Sequence, residues 1–413
     1  MISSVRPYLI FSVLSALFVL SMFYRVSNAV IAPNLIRDLG LNAETLGILG
    51  GAYFYSFALL QIPMGPMLDR IGPRIVMTFF PLVAALGAFL FGLGESFVTA
   101  LFGRIMIGAG MASVLMGSFK VFTLRFSPER FATLVGINLS IGTLGNIIAT
   151  SPLAYLASTI GWKMTFIVAG GITTLLGLSV FWVLGEEKDK AGTPVPSRSS
   201  GPATSFAQSV RMVWGSLAFW QMGAVAFFRY GTFVGLQGLW LGPYLIDVEG
   251  YSPIEAGNVL IFLSVGMIVG GPFAGRLSDR FPRSRKEVAL WGLALYTLCL
   301  FPLVGVLKIE SPFWYGFLFF FLGFSSSFGM LIYSHAMALF PTEISGTVTS
   351  WVNFFTMLGA ATVMPALGRV IESFSRQGSI YPEEAYHLSF LFCFLGMMAS
   401  LIFYAFCEKE KKS

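Results

Sequence analysis

The chain has 413 residues, 56% of them hydrophobic and 11% charged, with a formal net charge of +6. A water-soluble domain carries about 25% charged residues to solvate its surface, so this composition excludes a soluble globular protein and predicts a polytopic membrane protein. The surplus of cations then reads as an orientation signal in the loops, not as a nucleic-acid footprint.

In chain order, apolar runs long enough to cross the hydrocarbon as helices (roughly 20 residues) cover about 8–33, 45–64, 75–94, 97–120, 131–156, 164–185, 216–246, 256–274, 288–307, 312–340, 346–368 and 388–407. Twelve spans are therefore expected, joined by short loops. The first run exceeds the roughly 7–15-residue core of a cleaved leader, so it is expected to stay in the protein. It contains Tyr24-Arg25-Val26-Ser27-Asn28, and the seventh run contains Arg229-Tyr230. A cation at bilayer depth costs at least about 2.5–3.5 kcal/mol on insertion scales, so it is paired, wetted or used. No aspartate or glutamate falls within the assigned runs. Cys299, Cys393 and Cys407 all lie in apolar runs and are expected as free thiols.

Between the sixth and seventh runs, Pro194-Val195-Pro196-Ser197-Arg198-Ser199-Ser200-Gly201-Pro202 cannot bury a core and reads as a linker. Three parts are expected: an N-terminal six-helix half over 1–185, a cytoplasmic linker over 186–215 and a C-terminal six-helix half over 216–413. Lys and Arg concentrate on one side, with Arg70, Arg74, Arg125, Arg130, Arg276, Arg280 and Lys286 in the loops there. The other side holds Arg37, Lys163, Lys308, Arg369 and Arg376. That bias predicts both termini in the cytoplasm.

The two halves repeat. A shift of 210 residues superposes Pro33 on Pro243, Gly40 on Gly250, Gly47 on Gly257, Gly65 on Gly275 and Asp69 on Asp279. Two similar six-helix halves predict a rocker whose cargo site lies between them near the middle of the membrane.

The loop after the second run reads Gly65-Pro66-Met67-Leu68-Asp69-Arg70-Ile71-Gly72-Pro73-Arg74, and its counterpart reads Gly275-Arg276-Leu277-Ser278-Asp279-Arg280. The fourth run contains Arg104-Ile105-Met106-Ile107-Gly108-Ala109-Gly110. These stretches resemble the G-x-x-x-D-R-x-G-R-[KR] and R-x-x-x-G-x-G elements of the major facilitator superfamily, the first occurring twice in corresponding places. Pro73 departs from the pattern at the first arginine after the glycine. The resemblance covers the whole chain. It implies an all-α integral membrane fold of twelve helices in two pseudo-repeats, working by alternating access. The glycines of the loop motif are expected to let helix ends approach, and its aspartates and arginines to latch one conformation. Arg104 is expected to bond backbone carbonyls, since no acidic partner lies in the spans, while Gly108 and Gly110 permit tight packing. The fifth run lacks the G-P pair of the drug/proton antiporters.

The run from Tyr24 to Pro33 resembles the first span of the organic anion:cation symporters and of the organophosphate:phosphate antiporters. In those families an arginine at this place holds the substrate's carboxylate or phosphate. A guanidinium suits that role because it grips an oxyanion bidentately and stays charged. The alternative for Arg25 is a structural arginine satisfied by carbonyls and waters. Arg229 echoes the seventh-span arginine of the phosphate antiporters, but in the repeat it aligns with Val19 and not with Arg25. The related proton-coupled carriers have carboxylates where this chain has Tyr24 and about Gly110. His335 is then the intramembrane group titrating nearest neutral pH, a coupling candidate or a packing residue. Asn28, Asn146, Gln237, Trp240 and Tyr230 are further groups that could complete a site.

The reading is a secondary active transporter of a small organic anion, a carboxylate or phosphate ester, by exchange or ion-coupled symport. The alternative is an efflux carrier for amphipathic compounds. With no cysteine–histidine, metal-ligand or nucleotide-binding pattern, no enzymatic activity, metal or cofactor is expected. Coupling to protons, sodium or a counter-anion stays open. A monomer in a bacterial-type inner membrane is expected, with the anionic cargo and the lipid bilayer as partners and no nucleic acid.

Overall fold

The computed structural model describes residues 2–126, 128–185, 211–280, 285–306, 311–341, 344–376 and 380–408. Most of the expected linker, and the side chains of Asp69 and Asp279, lie outside the described residues. The described chain is helical: α1 (Ile2–Val26), α2 (Asn28–Leu39), α3 (Ala43–Arg70), α4 (Pro73–Leu93), α5 (Phe97–Arg125), α6 (Pro128–Ile148), α7 (Ser151–Thr159) and α8 (Trp162–Leu184) come first. After the linker follow α9 (Leu217–Gly235), a π turn (Leu236–Trp240), α10 (Leu241–Asp247), α11 (Pro253–Arg280), α12 (Arg285–Leu300), α13 (Pro312–Ser326), α14 (Leu331–Leu339), α15 (Ser345–Glu372) and α16 (Glu383–Ala405).

Ten described helices are long and apolar enough to cross a membrane, and α6 with α7 makes an eleventh crossing bent by 43°. That bend corrects the straight span expected over 131–156. Its cause is Pro152, which sits in the first turn of α7 and has no N–H to continue α6. The run expected over 216–246 is likewise interrupted, by the π turn. The tenth run carries a short 3-10 turn, Ser327–Met330, between α13 and α14. Helices also outrun the apolar stretches: α11 extends to Arg280, because a helix end can continue as a polar turn beyond the hydrocarbon.

Helix starts follow local chemistry. Asn42 caps α3 in a reciprocal pair with Thr45, and Ser96 caps α5 in the same way with Thr99. Gly72, at φ 91°, takes a turn closed to other residues and hands the chain to Pro73 at the start of α4. Large apolar side chains face outward, among them Trp182 and Trp291 at 78% and 79% exposure. Such faces need lipid around them.

The chain divides into two compact units. The first holds α1 to α8 together with Val234–Ile261 and Met364–Ala385, so it includes parts of the second repeat. Within it, the motif glycines of α5 pack on two different helices: Gly108 against the Tyr53 carbonyl of α3, Gly110 against the Phe80 carbonyl of α4. One end of this unit carries the turns at Gly40 and Gly250, both at positive φ. There the N–H of Ala43, orphaned in the first turn of α3, donates to Glu372 Oε2 and to the Tyr381 hydroxyl, each at 2.8 Å. Burial and the Glu372 carboxylate push Tyr381 up to about 12, so its hydroxyl keeps its proton and donates to Glu372. Arg369 Nε meets Glu44 Oε1 at 2.9 Å, and Ser151 Oγ donates to Asn258 Oδ1 at 2.5 Å.

The second unit holds Glu186–Phe233, Phe262–Val363 and Tyr386–Ser413. Here α9 meets α15 at Gly231 and Gly359, and α11 meets α13 at Gly266, Gly270 and Gly323. Buried Lys286 donates to the carbonyls of Ala405 and Cys407, which close the end of α16. Cys299, Cys393 and Cys407 are free and buried, as expected.

Candidate substrate-binding site

In the first span α1 ends at Val26 and α2 begins at Asn28. Ser27 between them keeps helical backbone angles, its N–H bonds the Phe23 carbonyl at 3.1 Å, and its Oγ donates to the Tyr24 carbonyl at 3.3 Å. Arg104 Nη1 reaches the same carbonyl from α5 at 2.8 Å. Pro33 has no N–H, so the Ala29 carbonyl loses its helical partner. Gly242 of α10 packs directly on that carbonyl, where any side chain would overlap it.

The π turn stands at the equivalent place in the second repeat. The 210-residue register puts Gln237 on Ser27, Gly238 on Asn28 and Pro243 on Pro33. The two interruptions also meet in space: a Cβ added at Gly238 would lie 3.5 Å from the Arg25 carbonyl oxygen. Helix irregularities at corresponding places of two repeats point to a transporter's site, and here the backbone stays helical through both. The sequence analysis missed both breaks. The available signals were Ser27-Asn28 ahead of Pro33, and three glycines (Gly235, Gly238, Gly242) ahead of Pro243.

Arg25 is buried at this break, with its guanidinium 5.2 Å from the Phe57 ring centre and 5.9 Å from that of Phe54. Asn28 is fully buried, and neither its Oδ1 nor its Nδ2 has a hydrogen-bond partner. Buried amides are nearly always bonded, which sets this one apart. Gln237 lies on the π turn and is also buried. Asn146 of α6 is buried with an unbonded Oδ1.

Other candidates take different places. Tyr24 points away from the break to α8, its hydroxyl 3.0 Å from Thr173 Oγ1, so it ties two helices together. Trp240 donates through Nε1 to the Met364 carbonyl at 3.2 Å, which makes it a strut against α15. Arg104 is fully buried among the Tyr24 carbonyl and the rings of Tyr53 and Phe91, and its Nε and Nη2 have no hydrogen-bond partner.

Arg229, Tyr230 and His335 belong to the second unit. The Arg229 guanidinium lies against Gly329 and 5.3 Å from the Tyr230 ring, and its Nε has no hydrogen-bond partner. Both ring nitrogens of His335 are engaged, Nδ1 with the Tyr404 hydroxyl at 2.9 Å and Nε2 with the Glu408 carbonyl at 3.1 Å. The ring therefore anchors the end of α16.

Of the loop motif, Arg70 and Arg280 are exposed at the ends of α3 and α11. Arg74 Nε donates to the Phe181 carbonyl at 3.1 Å, with its guanidinium 4.0 Å from the Phe181 ring, joining α4 to the end of α8. A Cβ added at Gly65 or Gly275 meets nothing within 4 Å.

A bundle of apolar helices in two repeats, interrupted at matching places around a buried arginine, has the build of a carrier. The model of the Major Facilitator Superfamily matches residues 13–364, and the chain belongs to that family. The family and the relatives found are membrane transporters and not enzymes. One relative is the uncharacterized transporter YybO of Bacillus subtilis (strain 168), 28% identical over 63% of this chain. That match spans 63% of the relative's own length, less than two thirds of it. The D-galactonate transporter of Escherichia coli O6:H1 is 24% identical, over 89% of this chain and 90% of its own. Among solved structures, a bacterial homolog of the human lysosomal transporter Spinster, in an inward-facing and unoccupied conformation, superposes with a TM-score of 0.76. It shares 18% identity over 97% of this chain and 96% of its own, and carries the fold alone.

Proposed function

We propose that this protein moves a small organic anion, a carboxylate or phosphate ester, across a bacterial inner membrane by alternating access. The observation that carries the reading is the conjunction at the first-span break of Arg25 with the unbonded buried amide of Asn28. The guanidinium takes the oxyanion bidentately, and the Asn28 amide, with one donor side and one acceptor side, takes a hydroxyl or second oxygen of the same molecule. Gln237 is buried on the π turn, at the matching place of the second repeat. Arg104 holds the break in shape through the Tyr24 carbonyl. The galactonate carrier, named for a sugar acid, supports the anionic class. The cation-rich loops support cytoplasmic termini, with the Gly40 end outside.

The test is a thermal-shift screen of the purified protein against carboxylates, phosphate esters, amino acids and cationic drugs. A ligand that binds only the folded state raises the melting temperature by linkage, about 2.7 kcal/mol of stabilisation at a hundredfold excess over Kd. One anion class should stabilise the protein, and Arg25→Gln should fold to near wild-type yield without that response. Stabilisation by cations or neutral amphiphiles, unchanged in Arg25→Gln, would overturn the anion reading in favour of efflux.

A further inference from the structure

The last helix of each repeat ends between two nitrogen-bearing side chains. α8 and α16 each run for 23 residues, so Leu184 and Ala405 close them at corresponding places. On α8, Arg74, the second residue of α4, donates through Nε to the Phe181 carbonyl at 3.1 Å. Arg125, the last residue of α5, donates through Nη2 to the Leu184 carbonyl, also at 3.1 Å. On α16, Lys286, the second residue of α12, donates to the carbonyls of Ala405 and Cys407. His335, one turn before the end of α14, has Nε2 3.1 Å from the Glu408 carbonyl and Nδ1 2.9 Å from the Tyr404 hydroxyl. α4 and α12 are the third spans of the two repeats, and α5 and α14 close the fourth. One clasp is thus built twice, each copy inside its own unit.

Both clasps answer the same need, since the last carbonyls of a helix lack partners and draw positive groups. Their settings differ. Arg74 and Arg125 are half-buried, so water competes for the carbonyls they hold. Lys286 and His335 are buried, where a hydrogen bond is stronger and a lost one strands its partner. The chain leaves the first unit directly after the wetter clasp, at Gly185 with φ 59°, and Glu186 opens the second unit.

We propose that the unequal clasps make the end of α8 a compliant joint, which yields as the carrier changes conformation, while the end of α16 stays fixed. Strain carried by the connecting chain is taken up in the last turn of α8 before it reaches the packed helices behind. Lys286 and His335 act here as positioning residues for α16. The inference rests on the alternating-access reading but not on the identity of the cargo.

The test is hydrogen–deuterium exchange of the full-length protein in lipid vesicles without substrate, corrected for intrinsic rates. The last turn of α16 should exchange about tenfold more slowly than the last turn of α8. Lys286→Met and His335→Leu should each speed the α16 turn about tenfold and leave the α8 turn as it was. His335→Gln, which keeps a donor for the Glu408 carbonyl, should stay near wild type. Arg125→Gln should speed the α8 turn less than about threefold. Equal protection at the two ends, or the reverse order, overturns the compliant joint. An α16 turn unchanged in both Lys286→Met and His335→Leu overturns the clasp. Equal loosening by His335→Leu and His335→Gln assigns the effect to lost packing and overturns the role of the hydrogen bond. Should Lys286→Met fail to fold, the wild-type comparison and the two His335 variants decide. A failed anion screen leaves these outcomes untouched.

Discussion

Asn28 holds a buried amide without a hydrogen bond on either side, an arrangement that costs about 1–3 kcal/mol. Replacing such a group by an apolar one of similar shape is close to neutral or stabilising. Asn28→Leu should therefore match or exceed the wild-type melting temperature while losing the anion response. A variant that melts several degrees lower and still responds would make Asn28 a structural residue. The sequence makes Arg25 and Asn28 legible, because a cation and an amide just ahead of Pro33 in an apolar run need a reason. It does not say which way neighbours point. Tyr24 is one residue from Arg25, about 100° around a helix of 3.6 residues per turn, and so it faces Thr173. His335 is equally visible as an isolated polar group, but its partners, Tyr404 and Glu408, are roughly 70 residues away in the chain.

Elements were easier to count than to shape. Apolar runs reveal spans because lipid permits backbone only in satisfied, mostly helical form, and each expected run has a helix at its place among the described residues. The interruptions are subtler. A π turn keeps the same apolar residues and adds one residue to a turn, so hydropathy passes over it, and the bend at Thr150 needs only Pro152. Trp240 shows what the turn positions. If it is a strut, Trp240→Phe loses one buried hydrogen bond, worth about 0.5–1.5 kcal/mol. The melting temperature should then fall by a few degrees with the anion response intact. A lost response at an unchanged melting temperature would return Trp240 to the site as a ligand.

For the whole molecule, the missing carboxylates bear on coupling. No acidic residue falls within the assigned spans, and no described carboxylate meets Arg104 or Arg229. A proton-symport cycle built on a titrating carboxylate loses its usual parts. Exchange is then the expected mode, and uptake into vesicles should depend on an anion loaded inside. Strong uptake into empty vesicles driven by a pH gradient alone would contradict it. The repeat, the motifs and the orientation bias were legible because each is a linear pattern. The polar contacts at the Gly40 end were not, since they join residues more than 100 positions apart, such as Ser151 and Asn258.

The repeat is also unequal in a way that bears on who carries the load. Two hundred and ten residues after Arg25 the chain has Gly235, a position with no side chain at all. After duplication, one copy of the interrupted helix kept the hook and the other kept only the hollow. On the proposed reading, a cargo held by Arg25 would travel with the first half, because the second half offers no cation at its own copy of that position.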